Sequence, residues 1–198
     1  MDWSAEDIPD QQSRVAIVTG ANSGIGYETA LALGLKGARV ILGCRDSGRG
    51  KEAEQRVRTA APGGDFRFVP LDLGSLASVA EFSKRIESEE TKLDLLCNNA
   101  GVMVPPYGKT ADGFELQFGT NHLGHFALTG RLLPLLRKAA APRVVTVSST
   151  AHRMGVIDFD DLQWERKSYS KWRAYGQSKL ANLLFTRELA RRVAAREL

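Results

Sequence analysis

The sequence predicts an α/β fold, a doubly wound parallel sheet with helices on both faces, and three observations predict it. Apolar runs rich in Val, Ile, Leu and Phe recur at residues 14–19, 38–43, 66–69, 93–97 and 143–147. Runs of this kind suit strands buried on both sides. Helical stretches separate the five runs, so strand and helix alternate along the chain. The first run leads directly into a glycine-rich turn and an amphipathic helix, the opening of a strand–helix–strand unit.

Residues 1–13 form a polar, acidic lead-in with no charged-then-apolar leader pattern. The first strand ends in Gly20-Ala21-Asn22-Ser23-Gly24-Ile25-Gly26, and the helix after it runs to about Lys36 with Gly37 as its stop. Glycines let a backbone turn tightly and approach a diphosphate, and the N-terminus of the next helix offers free N–H groups. The spacing is Gly-x-x-x-Gly-x-Gly, not the commoner Gly-x-Gly-x-x-Gly. Its setting favours phosphate binding, with a plain tight turn as the alternative. The second strand ends Leu42-Gly43-Cys44-Arg45, with no carboxylate at its tip to take a ribose 2′-hydroxyl. Arg45 suits a 2′-phosphate and hence NADP(H), or else pairs with Asp46 at the surface.

Residues 47–59 read as a polar helix, broken at Gly63-Gly64. A third strand, 66–69, precedes Leu71-Asp72-Leu73. Ser75 caps a helix to about Glu89, with Leu76, Val79 and Ile86 on one face. The fourth strand, 93–97, runs into Asn98-Asn99-Ala100-Gly101. Small polar residues at a strand's C-terminal end suit a ligand crevice, or serve only to satisfy loop backbone. Residues 111–138 read as a long helical stretch whose last part Pro134 breaks. It carries His122 and His125, a packed or solvated pair with no third metal ligand in view. The fifth strand, 143–147, ends at Ser148-Ser149. An irregular stretch, 150–173, carries Phe159, Leu162 and Trp164 and is long enough to line a substrate pocket.

The last helix, 172–196, contains Tyr175-Gly176-Gln177-Ser178-Lys179. At a spacing of four, a phenol and an ammonium stand one above the other on one helical face. A phenol titrates near ~10, and a fixed cation beside it favours the phenolate and brings it toward the working range of acid–base catalysis.

The 198 residues suffice for one domain with a sizeable core. The net charge of +4, from 27 basic and 23 acidic side chains, is mild and spread along the chain. There is no basic stripe with interleaved aromatics, so a nucleic-acid groove is not expected, and an anionic small molecule would suit the charge. Cys44 and Cys97 each end an apolar run, as buried thiols of a reducing compartment do. No Cys/His cluster has zinc spacing. No apolar run approaches ~18 residues, so the expectation is a cytoplasmic protein without a membrane span.

Taken together, Thr19-Gly-Ala-Asn-Ser-Gly-Ile-Gly26, Asp72-Leu73, Asn98-Asn-Ala-Gly101, Asn121, Ser149 and Tyr175-x-x-x-Lys179 resemble the short-chain dehydrogenase/reductase family, which has a Rossmann-type fold. Gly43-Cys-Arg-Asp46, Thr120-Asn-His-Leu-Gly-His-Phe126, Val147-Ser-Ser-Thr-Ala-His152, Asp161-Leu-Gln163 and Ser178-Lys-Leu-Ala-Asn182 resemble its retinol-dehydrogenase-like branch. The resemblance implies an oxidoreductase that passes a hydride between NADP(H) and an alcohol or carbonyl substrate. It makes Tyr175 the proton donor or acceptor and Ser149, rather than Ser148, a hydrogen-bond donor to the same substrate oxygen. Lys179 would tune Tyr175 and hold the nicotinamide ribose, and Asn121 would keep a water for a proton relay. It places Gly20, Asn22, Ser23, Gly24, Ile25 and Gly26 around the diphosphate and Arg45 at the 2′-phosphate. Asp72 and Leu73 fall on the adenine side, and Asn99, Ala100 and Gly101 beside the adenosine ribose. Family members often pair, which implies a homodimer or homotetramer.

Two departures qualify the resemblance. The membrane retinol dehydrogenases carry an apolar N-terminal anchor that this sequence lacks, which points to a soluble relative. The family also continues past the Tyr helix into further strands, whereas this sequence stops at Leu198. The expectation is therefore a fragment or a truncated protein with its C-terminal strands missing and its fifth strand an unpaired edge. The alternative reading is a non-catalytic, truncated nucleotide-binding relative.

Overall fold

Five parallel strands stand in the order β3-β2-β1-β4-β5 in the computed structural model, which describes residues 4–194. They are β1 (Val15–Thr19), β2 (Arg39–Cys44), β3 (Asp65–Pro70), β4 (Leu95–Asn98) and β5 (Arg143–Thr146). The helices are α1 (Gly24–Leu35), α2 (Ser47–Ala60), α3 (Leu76–Glu89), α4 (Leu116–Phe118), α5 (Gly124–Leu136) and α6 (Lys171–Ala194). The expected start of the lead-in, residues 1–3, and the expected end of the last helix at Arg196 lie outside the described residues.

All five residues of β1 are buried, as a strand flanked on both sides and covered on both faces requires. It pairs with β2 from Val15↔Arg39 to Thr19↔Gly43, and with β4 at Ala16↔Leu95 to Val18↔Cys97. The strand order reverses after β3. That reversal puts β4 on the side of β1 away from β2. It also opens a crevice at the C-terminal ends of β1 and β4, where open α/β sheets bind ligands. β5 is an edge strand, and its Val145 is 49% exposed.

The chain divides into two compact units. The first holds the residues up to Asp72 with Phe82–Ala100 and Leu132–Val145, and so contains the sheet apart from Thr146. Its core packs Ala16, Val18 and Val40 with Phe66 and Phe68, and Ala30 and Leu33 of α1 with Val57 of α2. The second holds Leu73–Glu81, Gly101–Arg131 and the residues from Thr146 on, including α4 and α6.

The structure corrects the long helix expected over 111–138. Residues 109–115 form a closed turn instead, with the backbones of Lys109 and Glu115 in an antiparallel β-bridge and the Thr110 amide on the Phe114 carbonyl at 2.8 Å. Helical backbone begins only at Leu116, where the Glu115 carboxylate accepts from the amides of Gln117 and Phe118. A π-helical turn (Gly119–Leu123) then joins α4 to α5. Pro134 also breaks less than expected, since α5 continues through it to Leu136. Pro134 stands two residues from the end of α5, so its missing N–H removes only the bond to the Gly130 carbonyl in the last part of the helix. The irregular stretch gains one 3₁₀ helix, Thr150–Met154. No described helix is long and apolar enough to cross a membrane.

Candidate active site

In the first unit, the predicted site residues gather at the ends of β1 and β4. Gly20 has φ +67°, a left-handed conformation that favours glycine, and its amide bonds the Gly43 carbonyl at 2.7 Å. A Cβ on Gly20 would stand 2.9 Å from the Ala100 Cα, and one on Gly26 would stand 2.5 Å from both the Gly20 carbonyl oxygen and the Asn99 Nδ2. Glycine therefore lets the turn, the start of α1 and the Asn99–Ala100 loop close on one another. Asn99 fixes the arrangement by donating from Nδ2 to the Thr19 carbonyl at 2.8 Å.

The first helical bond of α1 runs from the Tyr27 amide to the Ser23 carbonyl, and the Ser23 side chain makes no cap bond. The amides of Gly24, Ile25 and Gly26 thus precede the helical ladder, as in an anion-binding helix start. Ser23, Gly24 and Ile25 are exposed and Asn22 is half-buried. Arg45 is exposed beyond β2, while Asp46 caps α2 by accepting from the Arg49 amide at 2.8 Å. Asp46, the partner of Arg45 in the alternative reading, thus has a capping role in the fold. Asp72 is half-buried at the end of this unit.

Two residues that the sequence reading did not assign to the site also shape it. The Thr19 hydroxyl accepts from the amides of Asn99 and Ala100, both at 2.9 Å, and so ties the β4 loop to the end of β1. The Cys44 sulfur accepts from the amides of Ala21 and Asn22, and burial pushes its thiol up to about 11. Cys44 was read only as a small buried residue. A polar or sulfur side chain at the tip of an otherwise aliphatic strand was the available signal.

In the second unit, Gly101, Asn121 and Lys179 come together. A Cβ on Gly101 would stand 3.0 Å from Asn121 Oδ1 and 3.7 Å from Lys179 Nζ. Asn121 is fully buried, accepts from the Val102 amide at 2.8 Å, and donates to the Val102 carbonyl at 2.9 Å and to Ser178 Oγ at 3.0 Å. Its side chain is a clamp on the Gly101–Val102 backbone. Lys179 is 4% exposed, donates to the Val147 carbonyl at 3.1 Å, and lies 5.7 Å from the centre of the Tyr175 ring. Burial holds its ammonium below the usual lysine range.

The two serines after β5 differ. Ser148 donates to the Lys179 carbonyl at 2.8 Å. Ser149 accepts from the Ala151 amide at 3.2 Å as a helix cap, which leaves its own proton to donate elsewhere. Leu73 is buried, packed on Gly124, where a Cβ would stand 2.9 Å from the Leu73 Cβ.

The sequence reading missed a buried polar network beside this cluster. Glu115 accepts from the Tyr169 hydroxyl at 2.9 Å, and Gln117 donates to the same hydroxyl at 2.8 Å and to the Lys171 carbonyl at 2.9 Å. Gln117 also receives the Val104 amide at 2.9 Å, where Val104 has φ +51°. Burial above all, and then the Glu115 carboxylate beside it, pushes Tyr169 up to about 12. Only local spacing is visible in a sequence, and these partners lie far apart along it.

The two histidines have structural partners. His122 bonds Asn182 at 3.2 Å, and the fully buried His125 bonds the Asn121 carbonyl at 2.9 Å. Burial drops His125 from 6.5 to about 4. The folded state keeps the imidazole neutral while the unfolded chain protonates it below pH 6.5, so this stability is lost as pH falls from 6.5 toward 4. In urea titrations, His125→Gln should lose about 2–3 kcal/mol less than the parent between neutral pH and pH near 4.5, the value that shift implies. Equal losses would contradict this.

The sheet order and the glycine turn define an α/β protein of Rossmann type. The chain belongs to the short-chain dehydrogenase family, in its retinol-dehydrogenase-like branch: the family's sequence profile, described as short chain dehydrogenase, matches residues 14–161. The family is one of oxidoreductases that use a nicotinamide cofactor. The chain is 51% identical to mouse retinol dehydrogenase 12 over 180 residues, covering 91% of this chain and 57% of that protein. It thus spans little more than half the length of that curated relative. A solved structure of an uncharacterised protein from Mycobacterium paratuberculosis matches with TM-score 0.89 and 49% identity, over 98% of this chain and 68% of that one. The Pseudomonas aeruginosa RhlG structure, an active-site complex with NADP, matches with TM-score 0.74 and 29% identity, over 94% of this chain and 68% of that one.

Proposed function

We propose that this chain carries the cofactor turn and the proton-transfer residues of an NADP(H)-dependent oxidoreductase acting on an alcohol/carbonyl pair. The observation that carries the reading is the buried Lys179 ammonium, held by Val147 and set beside the Tyr175 ring. The turn fits the cofactor, because Ser23, Gly24 and Ile25 are exposed at the start of α1, ahead of its first helical bond, while a Cβ at Gly20 or Gly26 would meet neighbouring backbone or the Asn99 amide and open the turn. Gly20, Asn22, Ser23, Gly24, Ile25 and Gly26 would hold the diphosphate, with Asn99, Ala100 and Gly101 at the adenosine ribose and Asp72 and Leu73 toward the adenine. When bound, the nicotinamide gives or takes the hydride.

The chain's own residues handle the oxygen. As a carbonyl is reduced, its oxygen gains alkoxide character. The Tyr175 hydroxyl delivers the proton, and Ser149 donates a hydrogen bond to the same oxygen. The Lys179 ammonium stabilises negative charge left on the phenol and has two donors beyond its bond to Val147 for ribose hydroxyls. Alcohol oxidation runs the same steps backwards. Asn121 acts as a positioning residue for Gly101–Val102. Both Nδ2 protons of Asn121 are engaged and its Oδ1 already accepts from the Val102 amide, so a relay water kept by this side chain would donate to the second lone pair of Oδ1.

The test is NADPH consumption with a panel of apolar aldehydes and ketones. Turnover supports the enzyme reading, and NADPH binding with no turnover favours a non-catalytic nucleotide binder. Preference for NADP(H) rests on Arg45. A charge-assisted bond to phosphate is worth ~1.5–3 kcal/mol, so Arg45→Ala should weaken NADPH binding by roughly 10- to 100-fold and leave NADH nearly unchanged. Equal weakening of both would remove Arg45 from the 2′-phosphate.

A further inference from the structure

Gly176 lies inside α6, where glycine is among the poorest helix formers. A Cβ there would stand 2.8 Å from the Ala151 carbonyl oxygen and 3.0 Å from the Gly155 nitrogen. Gly155 has φ −77°, which any residue adopts, so its dihedral does not call for glycine. Its surroundings do, since a Cβ on Gly155 would stand 2.6 Å from the Gly176 carbonyl carbon. Backbone therefore meets backbone where the 3₁₀ helix Thr150–Met154 lies on α6.

This seam is one of two anchors on the segment that carries Ser149. Upstream, the Val147 carbonyl accepts from Lys179 Nζ at 3.1 Å and from Asn182 Nδ2 at 3.2 Å, and Ser148 donates to the Lys179 carbonyl. Downstream, Ala151 and Gly155 rest on Gly176, the residue next to Tyr175. Ser149 is strung between the two, and both anchors belong to the helix of Tyr175.

We infer that Gly155 and Gly176 are positioning residues, a glycine seam whose closeness sets the Ser149 hydroxyl relative to the Tyr175 hydroxyl. The inference rests on the proposed reaction, in which those two groups act on one oxygen. A methyl in the seam pushes the Ser149 segment off α6, and a misplacement of ~1 Å in an active site costs on the order of 10²-fold in rate.

The experiment compares Gly155→Ala, Gly176→Ala and the double variant with Gly130→Ala, a helical glycine with open space around it. Readouts are kcat with NADPH and a carbonyl substrate, the Kd for NADPH, and the amide resonance of Ser149 in ¹⁵N-labelled protein. Each seam variant should lose roughly 10- to 100-fold in kcat, with Kd for NADPH unchanged and the Ser149 amide shifted. The double variant should be no worse than the weaker single, because both methyls open one seam. Gly130→Ala should match the parent. Wild-type kcat in both folded single variants, or additive losses, would overturn the inference. Gly155→Ala sits at a loop end that can yield, so it carries the test should Gly176→Ala fail to fold. Absence of turnover in the parent counts against the proposed function, and the Ser149 amide then decides the seam: displaced in the variants, it stands; unmoved, it falls.

Discussion

Tyr175→Phe should lower kcat for carbonyl reduction by roughly 10²- to 10⁴-fold, the range that a positioned general acid contributes. The change deletes one hydroxyl and keeps the ring that lies 5.7 Å from the Lys179 ammonium and edge-on to Trp172. Packing of α6 is therefore retained, and the loss is one of proton delivery. NADPH affinity should stay within about 2-fold of the parent, since the diphosphate contacts proposed for Gly20–Gly26 do not include the phenol. Steady-state rates with fluorescence titration of NADPH separate the two effects. Parent-like turnover in Tyr175→Phe would remove Tyr175 from the chemistry.

Gly26→Ala should show the opposite pattern, with binding lost first. The added methyl would stand 2.5 Å from the Gly20 carbonyl oxygen and 2.5 Å from Asn99 Nδ2. Relief requires the start of α1 to move off the turn or Asn99 to release the Thr19 carbonyl, and either course scatters the amides meant for the diphosphate. Losing two charge-assisted amide bonds at ~1.5–3 kcal/mol each puts the weakening of NADPH binding above about 100-fold. Calorimetric titration checks it, with circular dichroism to show that the sheet persists. Unchanged affinity would mean that the turn is only a tight connection between β1 and α1.

These positions were legible in the sequence to different depths. The inner strands β1, β2 and β4 were readable because a strand covered on both faces is apolar along most of its length, as at residues 15–18, the edge strands β3 and β5 by their shorter apolar pairs, and each observed strand lies within about two residues of its expected place. Residues 111–115 were absorbed into the helix that follows although Asp112-Gly113 is a turn signal, and the turn depends on Gly113 with φ +85° and on bonds between Thr110 and Phe114. In the site, glycines and the Tyr-x-x-x-Lys spacing are local features. The clamp of Asn121 on Val102, the Glu115–Tyr169 bond and the contact of Gly155 with Gly176 join residues distant in sequence. No period or spacing encodes them, and they became visible only with the fold.

The most direct test of hydride transfer with Tyr175 as proton donor follows the label. NADPH deuterated at the hydride-bearing nicotinamide carbon, on each face in turn, is incubated with an apolar aldehyde and the alcohol is read by mass spectrometry. Deuterium is expected on the carbinol carbon from one of the two labelled faces, with a yield from Tyr175→Phe lower by roughly 10²-fold or more. Deuterated alcohol formed equally by the parent and by Tyr175→Phe, or none from the parent with any carbonyl although NADPH binds, would contradict it.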